Sequence, residues 1–112
     1  MWFTMDYGAN PSFRIRRLTG YTEWRTGSAN MDFYGTNDIS NLNGNAGGSD
    51  AGSMITTGLT ILNANQNIMS QSWDTGYFNN NTFYRYYVLR VTVGGGSYDW
   101  GIQRMAYYGD YY

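Results

Sequence analysis

Residues 84–109 read YRYYVLRVTVGGGSYDWGIQRMAYYG. Two runs rich in tyrosine and β-branched residues flank GGGSYDWG, a glycine-rich break that carries an aromatic pair. Tyr87, Leu89, Val91 and Val93 alternate with Tyr86, Val88, Arg90 and Thr92. A period of two places one set on each face of a strand. The stretch therefore predicts two strands, over 83–93 and 100–109, joined across the glycines.

Working outward, the same grammar recurs. Phe3, Met5 and Tyr7 alternate with Trp2, Thr4 and Asp6. The segments WFTMDY (2–7), FRIRRLTGYT (13–22), NMDFYGT (30–36) and TTGLTIL (56–62) are short, aromatic or β-branched, and bounded by Gly, Asn, Asp and the lone Pro11. NLNGNAGGSDAGS (41–53) and NANQNIMSQSWDTG (63–76) read as loops, and NDISNL accommodates one helical turn at 37–42. No helical stripe and no internal repeat is present. Several antiparallel strands with polar turns predict an all-β fold, a β-sandwich or jelly roll, formed by 1–112 as a single domain.

Composition sets limits. Leu, Ile, Val and Phe are few, and twelve Tyr, four Trp and six Met supply the remaining apolar mass. Tyrosine packs a face and hydrogen-bonds at its tip, which suits sheets and recognition surfaces. The formal charge is −1 and every basic residue is Arg, so a polyanion-binding patch, and with it nucleic acid as a partner, is not expected. There is neither Cys nor His, which removes disulfides, thiol chemistry, the usual general base and the commonest metal ligand. No apolar run approaches the ~20 residues of a membrane-spanning helix, and no signal-peptide pattern is read.

Without His or Cys the usual nucleophilic triads cannot be built. A carboxylate pair for glycoside hydrolysis would have to come from one Glu and seven Asp, of which Asp6, Asp38 and Asp74 stand in turn-like contexts. The expectation is a non-enzyme with no cofactor. Calcium is a secondary option through Asp38, Asp50 and Asp99, though no D-x-[DN]-x-[DN]-G string occurs.

Sugar recognition asks for an aromatic ring beside planar hydrogen-bonding groups. TEWRTGS (22–28) offers Trp24 and Arg25; GSYDWG (96–101) offers Tyr98, Asp99 and Trp100. These five are the candidate ligand-binding residues, and Trp24 and Trp100 suit barrel plugs equally well. Trp73 and Tyr77 fit a sheet cover better than a contact. Tyr107, Tyr108, Tyr111 and Tyr112 form a candidate interface if exposed, whereas alternation would bury one of each pair. Arg14, Arg16 and Arg17 read as a solvated face with one bulge or ion pair.

The order of these blocks resembles the discoidin family, the coagulation factor V/VIII C-type domains. NMDFYGTND (30–38) resembles its W-x-x-x-G-S-N-D-G segment, YRYYVLRVTVGGG (84–96) its Y-R-Y-Y-R-L-x-V-T strand, and GIQRMAYYG (101–109) its closing I-A-E-L-E-L-Y-G. WFTMDYGANPSFRIRRLTGY (2–21) is similar to W-L-x-I-D-L-G-x-x-x-x-V-x-x-Y-x-L. Val88 stands where the family has Arg, Arg104 where it has Glu, and Ile39 follows Asp38 in place of Gly. The family's longer stretch ahead of the Trp2 position is expected to be missing.

The resemblance implies a galactose-binding-like jelly roll that binds glycans, lipid head groups or proteins through loops at one end. The expected function is a non-catalytic module for a glycan or cell-surface ligand, at an extracellular or virion surface, with protein partners or self-assembly. The alternative is a structural virion component, a tail-fibre or head-decoration subunit assembled through its aromatics.

Overall fold

The computed structural model describes residues 2–24, 28–38, 40, 58–69, 71–94 and 100–112. These residues form seven strands: β1 (Trp2–Asp6), β2 (Phe13–Trp24), β3 (Ser28–Thr36), β4 (Thr60–Asn67), β5 (Ser72–Asp74), β6 (Tyr86–Gly94) and β7 (Trp100–Tyr111). They build two antiparallel sheets, one ordered β1-β6-β3-β4 and the other β5-β2-β7. No described helix is long and apolar enough to cross a membrane.

The all-β sandwich expected from the alternation is therefore present, with two departures. The segment 63–76 is not one loop. Its first part completes β4, and Ser72–Asp74 is β5. NANQN has little intrinsic strand preference, but its backbone pairs with β3, and pairing outweighs propensity. The predicted strand at 56–62 starts only at Thr60; 56 and 57 lie outside the described residues, as do the loop at 41–53 and residues 39, 41 and 42 of the helical turn at 37–42.

The core lies between the sheets. Ala29, Met31, Phe33, Tyr87, Leu89 and Val91 from the four-stranded sheet meet Ile15, Leu18 and Trp73 from the other. Phe33 and Tyr87 stack with ring centroids 5.4 Å apart. Tyr87 is fully buried, and its hydroxyl accepts from the Ile15 N–H at 3.1 Å and the Asn80 side-chain amide at 3.3 Å. The same Asn80 nitrogen donates to the Ile15 carbonyl at 2.9 Å. These bonds satisfy backbone groups beside a β-bulge between Ile15 and Arg17, where Arg16 is the extra residue.

That bulge resets the faces of β2. Before it, Phe13 and Ile15 point to the core; after it, Leu18, Gly20 and Thr22 do. The Trp73 ring lies across Gly20, where a Cβ would sit 2.3 Å from the ring carbon Cζ2, and its Nε1–H donates to the Thr22 hydroxyl at 2.9 Å. Only glycine admits the ring there. Trp73 is 5% exposed, so it covers the sheet from inside.

Candidate functional site

The outward faces of the two sheets differ. On the four-stranded sheet, Tyr34, Tyr86 and Val88 point outward yet are buried in a small cluster with Leu59. The outward face of β5-β2-β7 is open. Its register sets out three rows: Ser72–Tyr21–Arg104, then Asp74–Thr19–Ala106, then Arg17–Tyr108. Thr19 and Ala106 are small, so the middle row is a floor between taller rows. An open groove of about 860 Å³ lies over the first two rows, lined by residues that include Thr19, Tyr21, Ser72, Asp74, Arg104 and Ala106, and the Arg17–Tyr108 row stands beside it.

Arginine holds the walls. The Arg17 guanidinium lies 5.4 Å from the Tyr77 ring centre and 5.0 Å from that of Tyr108. Its Nε donates to Asp74 Oδ1 at 2.9 Å and its Nη2 to Asp74 Oδ2, a two-pronged pair. On the opposite wall, Arg104 lies 5.2 Å from the centre of Tyr21. Cation–π contact of this kind restrains both partners. Tyr77 is 63% and Tyr108 41% exposed, so aromatic surface remains open to a ligand.

Asp74 is the groove's carboxylate. The Arg17 pair, with the Gly76 N–H donating to Oδ1 at 2.8 Å, brings its pKa down to about 2. Gly76 has φ +68°, a left-handed turn that aims this N–H back at the side chain. An acid held ionised in this way accepts hydrogen bonds from hydroxyls but has no proton to give at neutral pH. The groove thus offers stacking surface, two guanidinium groups, a fixed carboxylate, and the Thr19 and Ser72 hydroxyls.

The residues chosen from the sequence lie at a different place from this groove. Trp24 and Trp100 are not loop residues: they are the last positions of the β2–β7 pairing, with their backbones opposite each other. Ser28 likewise pairs with Gly94 in the other sheet. The crossings from β2 to β3 and from β6 to β7 therefore leave from the same end of the sandwich. Arg25, Tyr98 and Asp99 lie outside the described residues.

Of the four candidate interface tyrosines, Tyr107 is half-buried against the core and Tyr108 faces outward against Arg17, in the row next to the groove. Tyr111 and Tyr112 are 80% and 95% exposed and rest against Phe13 and Phe83. The arginine stretch shows both expected features, the bulge and ion pairs. Arg14 and Arg16 reach Asp110 at 2.9 and 3.2 Å, and Arg17 reaches Asp74. Asp38 closes a turn by accepting from the Ser40 N–H and hydroxyl, and Asp50 and Asp99 lie outside the described residues. Among the described residues no three acidic side chains gather as a metal site would require.

Tyr21, Arg104, Arg17, Thr19 and Ala106 were missed. Their signal was present as two every-other-residue triplets, Arg17–Thr19–Tyr21 and Arg104–Ala106–Tyr108. Each is large–small–large, but only the strand register sets them side by side. Compared with protein-family models, curated proteins and solved structures, the chain matches none.

Proposed function

We propose that this domain is a non-catalytic binding module that holds a glycan in the groove of its three-stranded sheet. The observation that carries the reading is the floor of Thr19 and Ala106 between tyrosines fixed by arginines, with an ionised carboxylate alongside. A sugar ring is flat enough for such a floor, its C–H face suits a tyrosine, and its hydroxyls suit Asp74 and the guanidinium N–H groups. The Trp24–Trp100 end lies further along the same two strands, past the Tyr21–Arg104 row. A glycan longer than one residue would extend towards it. The resemblance to discoidin domains supports the same class of ligand and an extracellular or virion-surface setting.

A glycan array with the wild type beside Tyr21→Ala, Tyr108→Ala, Trp24→Ala and Trp100→Ala tests this. Loss of one stacking ring is expected to weaken binding about tenfold, roughly 1.4 kcal/mol. Loss with Trp24→Ala and Trp100→Ala alone would move the site to the strand ends. No binding by a folded wild type would refute the glycan reading.

A second reading, a structural virion subunit assembled through its aromatics, is favoured by the exposure of Tyr111 and Tyr112 at the end of β7.

A further inference from the structure

β7 is a twelve-residue strand with β2 on one side. No described strand pairs with its other side. Natural sheets blunt such an edge with charged side chains, Pro, bulges or a short strand; β7 has no Lys or Pro over its twelve residues, and its one bulge, at Gln103, leaves 104–110 regular. Beside it opens a cleft of about 300 Å³ between the edges of the two sheets. Phe3, Met5 and Leu89 line it from one sheet, and Ile102, Met105 and Tyr107 from the other. Phe3 is 46% exposed there. An unpaired backbone next to uncovered apolar side chains is the arrangement that an added strand completes.

We infer that the added strand is β7 of a second copy, antiparallel, with the two-fold axis at Tyr107. In a two-fold pairing the residue numbers opposite each other have a constant sum. Centred on Tyr107, Arg104 stands opposite Asp110, Met105 opposite Gly109, and Ala106 opposite Tyr108. Each pair is complementary: cation with anion, long with glycine, small with large. Asp110 has room for this cation, since its contacts with Arg14 and Arg16 all end on Oδ2. Arg104 has no carboxylate partner among the described residues.

Other registers lose this. A slip of one residue sets outward side chains against inward ones. A centre at Ala106 puts Asp110 opposite Ile102, and a centre at Tyr108 puts it opposite Ala106. The Tyr107 register joins two three-stranded sheets into one of six strands. It also stands Tyr108 of the second copy beside Ala106, at the open end of the groove floor. Self-pairing does not depend on what the groove binds.

The test is the mass of the full chain in solution, by sedimentation equilibrium from micromolar to near-millimolar concentration. The expected result is a species of twice the 12.8 kDa chain. Arg104→Glu sets like charges opposite at two symmetric places and is expected to weaken the dimer about tenfold or more. The chain has no cysteine, so Tyr107→Cys introduces a single thiol. Directly opposed residues have Cα atoms ~4.5–5.5 Å apart, which a disulfide spans, so oxidation should yield a covalent dimer. If circular dichroism shows that Tyr107→Cys has lost the fold, Ala106→Cys oxidised with Tyr108→Cys carries the same test. A monomer at every concentration overturns the inference. So does a dimer that Arg104→Glu leaves intact and that these thiols do not cross-link.

Discussion

Gly20→Ala tests the junction that supports the groove. The new Cβ would lie 2.3 and 2.6 Å from Trp73 Cζ2 and Cε2, and 2.9 Å from the Arg104 carbonyl oxygen. Carbon atoms do not approach that closely, so the Trp73 ring must move. Overpacking a filled core costs about 1–3 kcal/mol. Moving the ring also stretches its Nε1–H bond to Thr22, a loss of about 1 kcal/mol. The expected destabilisation is about 2–4 kcal/mol, or roughly 10–20 °C in Tm for a domain of this size.

Urea unfolding followed by circular dichroism measures this. Repeating it in a Trp73→Phe background identifies the cause, because phenylalanine lacks the ring atoms that collide. The cost should then fall by about 1–2 kcal/mol, the remainder reflecting the Arg104 carbonyl. A Gly20→Ala loss below about 0.5 kcal/mol would refute the collision. So would an undiminished loss in the Trp73→Phe background. Because Ser72 and Asp74 flank Trp73 on β5, a displaced ring should also weaken glycan binding while Arg17 and Tyr108 remain in place.

Tyr87→Phe keeps the core ring but leaves the Ile15 N–H without its acceptor; the expected cost is about 1–3 kcal/mol in the same urea assay. Asp74 has its pKa lowered from 3.8 to about 2, so its contribution to stability is complete above 3.8 and is lost as pH falls towards 2. The stability difference between wild type and Asp74→Asn, measured by urea midpoints, should shrink across that window. A constant difference would show that the Arg17 pair has no role in acid stability. In the glycan assay, Arg17→Lys should weaken binding several-fold, because lysine lacks the planar fork that grips Asp74 and stacks on Tyr77 and Tyr108.

The strongest strands were legible because their side chains report a period of two directly. β6 is the clearest, with Tyr87, Leu89 and Val91 in the core. Trp24 and Trp100, read as loop residues, are paired strand ends instead. The second part of β4 was hidden because asparagine and glutamine carry little strand preference, and β5 because three residues are too few to show a period. Only the backbones of β3 and β2 make strands of them.

The groove shows most plainly what one-dimensional reading lacks. Alternation counted on from Ile15 would turn Arg17, Thr19 and Tyr21 into the core. The bulge at Arg16 turns them outward, beside Arg104, Ala106 and Tyr108 from a strand more than eighty residues later. Residue types and their local spacing were enough to show that this chain forms antiparallel strands and has neither histidine nor cysteine chemistry. Which face is open, which tyrosines stand on it and which carboxylates Arg14, Arg16 and Arg17 hold emerged only from the folded chain. Those depend on the register between distant strands, and one inserted residue reverses them.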